Sequence, residues 1–96
     1  MGGLIRSLDF AEKSRIAGFP LIIGAQVGET SILTRAALVV ANVHRANLLA
    51  QEGAYGTLLL ESDITPYPWM FGKAGKLDPK DFIQSDRFGF QIPYIP

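Results

Sequence analysis

The stretch "FPLIIGAQVGETS", residues 19–31, decides the fold of this chain. It contains a short apolar run, residues 20–24, that begins at a proline and ends at a glycine. The run does not alternate polar and apolar residues, as an exposed strand would, and this predicts a strand that is covered on both faces, as in a parallel sheet. The run then changes abruptly into small and polar residues, among them Gln26 and Glu29. The sequence therefore predicts a buried strand that ends in a polar loop.

Helical periodicity flanks this strand on both sides. Residues 4–17 are predicted to form a helix because their apolar side chains recur at helical spacing, namely Leu4, Ile5, Leu8 and Ala11. We expect Gly18 to end that helix, since a positive φ is cheap only for glycine. Residues 31–46 repeat the pattern with Leu33, Ala36, Ala37, Val40 and Val43, and Thr30 or Ser31 is expected to cap the first turn. The order helix, strand, helix predicts an α/β protein.

The position of the next strand has two alternatives. Strand propensity favours "TLLL" at residues 57–60, whereas "NLLAQE" at residues 47–52 would end on the carboxylate of Glu52. After Asp63 the chain becomes rich in Pro, Gly and aromatic residues, so we expect an architectural boundary near Ser62.

Composition excludes several classes of partner. The 96 residues suffice for one small domain, and the nine basic side chains balance the nine acidic ones. This balance argues against nucleic acid or an anionic membrane as the main partner. No apolar stretch approaches the roughly 20 residues that a bilayer-spanning helix needs. We therefore expect a cytoplasmic protein that binds neither nucleic acid nor membrane.

Two carboxylates are the candidate functional groups. The carboxyl ends of parallel strands face a shared crevice where ligands bind, and Glu29 follows the predicted buried strand. Glu52 would lie at the equivalent end of the next strand if "NLLAQE" is that strand. Such a pair can act as acid, base or transition-state stabiliser. The alternatives are that Glu29 only complements the dipole at the start of a helix and that Glu52 is a solvated loop residue.

Three segments together resemble a known group of enzymes. They are "GGLIRSLDFAEKSRIAGFPLIIGAQVGETSILTRAAL", "QEGAYGTLLLESDIT" and "MFGKAGKLD", and their order is that of the C-terminal part of enolase-superfamily enzymes. The resemblance is strongest to the mandelate racemase and muconate-lactonizing enzyme group and extends over about residues 2–78. It implies that residues 1–62 are the C-terminal part of a (β/α)8 TIM barrel with "NLLAQE" as its eighth strand. Residues 63–96 would be a return segment to the capping domain.

The resemblance also implies a reaction. Enzymes of this group are isomerases and lyases (racemases or epimerases, cycloisomerases and dehydratases). They abstract a proton alpha to a carboxylate and stabilise the enolate with Mg²⁺. By this resemblance Glu52 and Glu29 are the catalytic residues, and Gln26 contacts a small carboxylate substrate. The metal ligands of such enzymes lie on the third to fifth strands, and none of these strands is found in this chain. We therefore expect the chain alone to bind no Mg²⁺ and to have little activity.

A second hypothesis is a stand-alone, noncatalytic module that self-associates or binds a protein partner. Under either hypothesis the few strands would leave unpaired N–H and C=O groups at the sheet edges, which invite pairing with another chain. We therefore expect a homo-oligomer, or packing against the missing parts of a barrel.

Overall fold

Two helices and two strands alternate along the chain. The computed structural model describes residues 2–26, 29–53, 59–65, 68–69 and 72–77. Its elements are α1 (Leu4–Ile16), β1 (Leu21–Ile23), α2 (Ser31–Val43), β2 (Leu48–Gln51) and a short 3-10 turn (Lys73–Gly75). The predicted order of helices and strands is confirmed. The second helix is shorter than predicted because residues 44–47 form a turn that leads directly into β2.

The chain divides into two compact units. The first unit consists of Met1–Ala25 with Arg35–Glu52, and the second consists of Gln26–Thr34 with the described residues from Gly53 onward. The predicted boundary near Ser62 stays a prediction. None of the helices in the described ranges is long and apolar enough to cross a membrane.

The two strands pair in parallel and form a two-stranded sheet. Leu21 lies opposite Leu48 and Ile23 opposite Gln51, with an irregularity in the register after Leu21. The second strand is therefore the one that runs into Glu52, as the "NLLAQE" alternative predicted. Residues 57 and 58 of the other alternative lie outside the described residues. The described residues thus establish a small α/β arrangement with a parallel sheet.

One face of this sheet packs against the helices. The core consists of Ala11 from α1, Leu21 from β1 and Val40 from α2. Four half-buried side chains surround it, namely Leu4, Leu8, Ile23 and Leu48. The prediction of a strand covered on both faces is wrong for β1, because Leu21 is buried in the core whereas its neighbour Ile22 is exposed. Ile22 is 57% exposed and Leu49 is 68% exposed.

The buried faces of the helices also differ from the predicted ones. Ile5 is 77% exposed, although its spacing predicts a place on the apolar face of the first helix. In α2, Leu33 and Val43 are exposed as well. The residues of α2 that are buried are Ser31, Thr34, Val40 and Ala41. The buried residues of α2 thus include hydroxyl side chains, which an apolar periodicity cannot detect.

The end of α1 follows the glycine signal. Gly18 has φ +77°, and its N–H donates to the carbonyl of Arg15 (3.1 Å). The N–H of Phe19 donates to the carbonyl of Ser14 (2.9 Å). This pair of bonds is a Schellman motif, in which the last carbonyls of a helix are satisfied by a turn that needs the left-handed conformation. The prediction that Gly18 ends the helix is confirmed.

Candidate functional site

The carboxyl end of the sheet carries Glu52 immediately after β2. Its backbone N–H donates to the carbonyl of Ile23 in β1 over 2.8 Å. This bond continues the parallel pairing one residue beyond β2 and holds the Glu52 backbone at the carboxyl ends of both strands. The side chain of Glu52 is exposed. The structure therefore places this carboxylate where a ligand can reach it from solvent.

The loop after β1 is closed by Glu29. Its carboxylate Oε1 accepts a hydrogen bond from the backbone N–H of Gln26 (2.7 Å). In return the N–H of Glu29 donates to the carbonyl of Gln26, over 3.3 Å. The two residues thus form a small reciprocal turn, and one oxygen of the Glu29 carboxylate is already used inside it. The structure brings Gln26 and Glu29 together. That Glu29 and Glu52 lie at the same edge of the sheet, where the carboxyl ends of the strands meet, stays a prediction.

The start of α2 is held by Asp63, which lies 32 residues further along the chain. One carboxylate oxygen of Asp63 accepts from both the backbone N–H (2.8 Å) and the hydroxyl (2.6 Å) of Ser31. The Ser31 Oγ in turn accepts from the backbone N–H of Trp69 (2.6 Å). Thr30 or Ser31 was expected to cap the helix. In the structure the hydroxyl of Ser31 donates to Asp63 and accepts from Trp69, and the backbone N–H of Ser31, in the first turn of α2, also donates to Asp63.

The other oxygen of Asp63 accepts two local bonds. They come from the backbone N–H (3.0 Å) and the hydroxyl (3.2 Å) of Thr65. Burial raises the pKa of the Asp63 carboxyl, but the hydrogen bonds from Ser31 and Thr65 together outweigh burial and leave that pKa below its ordinary value. Asp63 is therefore an ionised structural carboxylate whose two oxygens are occupied, which makes it a poor acid or base.

Asp63 was missed as an important residue by sequence reasoning. A local signal exists in "DIT", because an Asp that accepts the N–H two residues later is a common turn motif. The contact with Ser31 has no signal in the spacing of the residues, since it joins segments that are distant in the chain.

The described carboxylates do not fit a magnesium site. Mg²⁺ requires a near-octahedral set of oxygen ligands. Asp63 has both oxygens engaged by donors, Glu29 has one oxygen engaged, and Glu52 is exposed at the end of β2. In the ranges that the structure describes, no three His, Cys, Asp or Glu side chains are grouped so that they could hold a metal ion. A metal used by an enzyme of the resembled group would need ligands from elsewhere.

No protein-family model, curated protein or solved structure matches this chain.

Proposed function

We propose that residues 1–62 are the last part of a (β/α)8 barrel of the enolase-superfamily type, with residues 63–96 returning to a capping domain. The complete enzyme would be an isomerase or lyase that abstracts a proton alpha to the carboxylate of a small substrate in the cytoplasm. One observation carries the proposal: an exposed carboxylate, Glu52, follows the carboxyl end of a parallel strand pair connected through a helix. Ligands of α/β barrels bind at that end of the strands.

Glu52 is the group we assign to the reacting part of the substrate. As a carboxylic acid it would donate a hydrogen bond to the developing enolate oxygen, and as a carboxylate it would accept a proton. Its backbone bond to Ile23 supports this role, because that bond fixes the starting point of the side chain relative to both strands.

Glu29 has a different role in this proposal. One of its oxygens already accepts the backbone N–H of Gln26, so Glu29 is better suited to hold the loop than to exchange protons. Gln26 is exposed, and its side-chain amide can both donate to and accept from a substrate carboxylate. We therefore assign Glu29 as a positioning residue for Gln26 and Gln26 as the substrate contact.

The described part of the chain does not bring together the other groups that this reaction needs. Its described carboxylates do not form a Mg²⁺ site, and no step through the metal can be assigned to them. The metal ligands and the basic residues of the reaction would come from preceding barrel strands. We therefore propose that residues 1–62 contribute one wall of the active site and are inactive alone.

A chimeric enzyme tests this proposal. Residues 2–62 would replace the corresponding last part of a barrel from the mandelate racemase group. Exchange of the α-proton of that enzyme's carboxylate substrate would then be followed by NMR in D₂O. We expect Glu52→Gln to lower the exchange rate by about 100-fold or more, in the range for loss of a general acid–base group. The matched control, Glu61→Gln, changes another exposed glutamate and should leave the rate unchanged. A folded, active chimera in which both variants exchange equally fast would overturn the assignment.

A further inference from the structure

The return segment is joined to the start of α2 by three hydrogen bonds at Ser31. The hydroxyl of Ser31 donates to Asp63 (2.6 Å) and accepts from the backbone N–H of Trp69 (2.6 Å). The backbone N–H of Ser31 also donates to Asp63 (2.8 Å). Ser31 and Trp69 are only 2% and 3% exposed, so these bonds lie away from water, where hydrogen bonds are stronger. Two points of the return segment thus hold a single residue of α2.

Ser31 lies two residues after Glu29, whose turn with Gln26 contains the proposed substrate contact. The residue between them, Thr30, accepts a hydrogen bond at its carbonyl from the backbone N–H of Thr34 in α2 (3.3 Å). The backbone therefore passes directly from the turn into the first turn of α2. All of these residues belong to the second unit, as do Asp63 and the rest of the return segment.

The turn of Gln26 and Glu29 is itself close to solvent. It is closed by the bond from the Gln26 N–H to the Glu29 carboxylate (2.7 Å) and by the bond from the Glu29 N–H to the Gln26 carbonyl (3.3 Å). Gln26 is exposed and Glu29 is only half-buried. Segments with exposed hydrogen bonds open locally at a small cost in free energy. How often this turn is closed therefore depends on how firmly the chain is held on either side of it.

We propose that Asp63 and Trp69 position the turn of Gln26 and Glu29 through Ser31, so that the return segment controls how the substrate carboxylate is held. Without these bonds the first turn of α2 would fray, and the turn before it would open more often. The part of this proposal that concerns substrate rests on the proposed function, in which Gln26 is the substrate contact. The coupling between Ser31 and the turn does not rest on it. Asp63 is a positioning residue in this scheme.

Solvent exchange of the Gln26 amide, measured by NMR in the 96-residue chain, tests the coupling. Ser31→Ala removes the hydroxyl that joins Asp63 to Trp69, and it should speed this exchange by about fivefold or more, as for the loss of a hydrogen bond. Asp63→Ala should speed it at least as much, because it removes both bonds from Ser31. Glu29→Ala removes the acceptor of the Gln26 amide and gives the exchange rate of the open turn.

Two controls separate this effect from a general loss of stability. The backbone N–H of Thr65 donates to Asp63 over 3.0 Å, and Ser31→Ala leaves that bond in place, so the exchange of the Thr65 amide should not change. Ser7→Ala removes another hydroxyl, which donates to a backbone carbonyl at the start of α1 (3.0 Å) in the first unit. It should leave the exchange of the Gln26 amide unchanged.

The two variants of the anchor are read independently, so that one poorly folded variant does not decide the result. A Gln26 amide that exchanges at the wild-type rate in a folded Ser31→Ala or Asp63→Ala variant would overturn the coupling. So would a wild-type rate equal to that of Glu29→Ala, because the turn would then not be closed. Equal acceleration of the Thr65 amide in Ser31→Ala would overturn it as well, since the effect would then be general.

Kinetics test the consequence for substrate, in the chimeric enzyme extended to residue 69 so that it contains the anchor. Ser31→Ala should raise KM by about fivefold and change kcat by less than about twofold, because the turn holds the substrate whereas Glu52 reacts with it. A lower kcat at an unchanged KM would overturn the positioning role. A folded wild-type chimera without activity would contradict the proposed function and leave the coupling standing, because amide exchange decides the coupling by itself.

Discussion

Replacing Asp63 with alanine should destabilise the second unit by about 2–3 kcal/mol. The substitution removes the acceptor of the hydrogen bonds from the backbone N–H and the hydroxyl of Ser31, a residue that is only 2% exposed. A buried donor left without a partner costs about 1–3 kcal/mol, and loss of a helix cap costs about 0.5–2 kcal/mol. We take the lower half of the combined range because Asp63 itself is only half-buried, and solvent screens its charge. Asp63→Asn keeps one acceptor oxygen and should cost about half as much.

Urea unfolding monitored by tryptophan fluorescence measures this effect. Trp69 is the only tryptophan of the chain, is 3% exposed and lies in the same unit as Asp63. Asp9→Ala is the control, since Asp9 makes an exposed ion pair with Lys13, and pairs of that kind contribute at most about 1 kcal/mol. If Asp63→Ala changes the free energy of unfolding by less than about 0.5 kcal/mol, the carboxylate does not hold the start of α2, and the reasoning is refuted.

The same carboxylate predicts a pH dependence. The pKa of Asp63 is lower in the folded chain than its ordinary value, so the unfolded chain binds the proton more tightly. Its contribution to stability is therefore fully present above the unfolded pKa of about 3.9 and is lost as the pH falls through the folded pKa. The stability difference between wild type and Asp63→Ala should be constant from about pH 5 to 7 and should shrink below about pH 4. A difference that stays constant through the acid range would contradict this interpretation.

Three further predictions concern the helix end, the sheet and activity. Gly18→Ala should lower the free energy of unfolding by about 1–2 kcal/mol, because the backbone φ of +77° is strained for alanine, although the added Cβ would meet no atom within 4 Å. Gly24→Ala, where φ is not positive, is the control in urea unfolding. Leu21→Ala should lower the free energy of unfolding by about 2–4 kcal/mol and Ile22→Ala by less than about 1 kcal/mol, because Leu21 is buried and Ile22 is exposed. Similar losses of stability for the two variants in thermal unfolding would contradict the observed burial. The isolated chain with Mg²⁺ should catalyse no exchange of the α-proton of the carboxylate substrate used for the chimera in D₂O. Exchange that is abolished by Glu52→Gln would show that the isolated chain is active and would contradict the proposal.

The order of elements could be predicted from the sequence because local signals set it. The glycine after α1 needs a positive φ, and the short run that ends before Gly24 is too brief for a helix. In both cases neighbouring residues along the chain carry the information. The position of Glu52 at the end of β2 was only one of two alternatives, because strand propensity favoured residues 57–60 and the resemblance alone favoured "NLLAQE".

The exposure of the side chains and the role of Asp63 could not be predicted in this way. The apolar run of β1 is typical of a strand with two covered faces, but covering the second face depends on what lies beside the sheet, and Ile22 is left open. Ile5 has the right spacing for a buried helix face, yet its exposure depends on how α1 is rotated on the sheet. The bond between Asp63 and Ser31 joins distant segments, and only the fold brings them together.

The proposed active site depends most directly on whether the Gln26–Glu29 turn and Glu52 lie at the same edge of the sheet, that of the carboxyl ends of its strands. Because the chain has no cysteine, spin labels can be placed at Glu29→Cys with Glu52→Cys, and at Glu29→Cys with Ala46→Cys as the reference pair. Ala46 is exposed in the turn before β2, at the amino end of that strand, and the six residue steps from Ala46 to Glu52 span at most about 20 Å. Pulsed electron paramagnetic resonance should give a 29–52 distance at least about 10 Å shorter than the 29–46 distance, since both glutamates would follow the carboxyl ends of their strands. Equal distances, or a shorter 29–46 distance, would contradict a shared rim and remove Glu29 from the proposed active site.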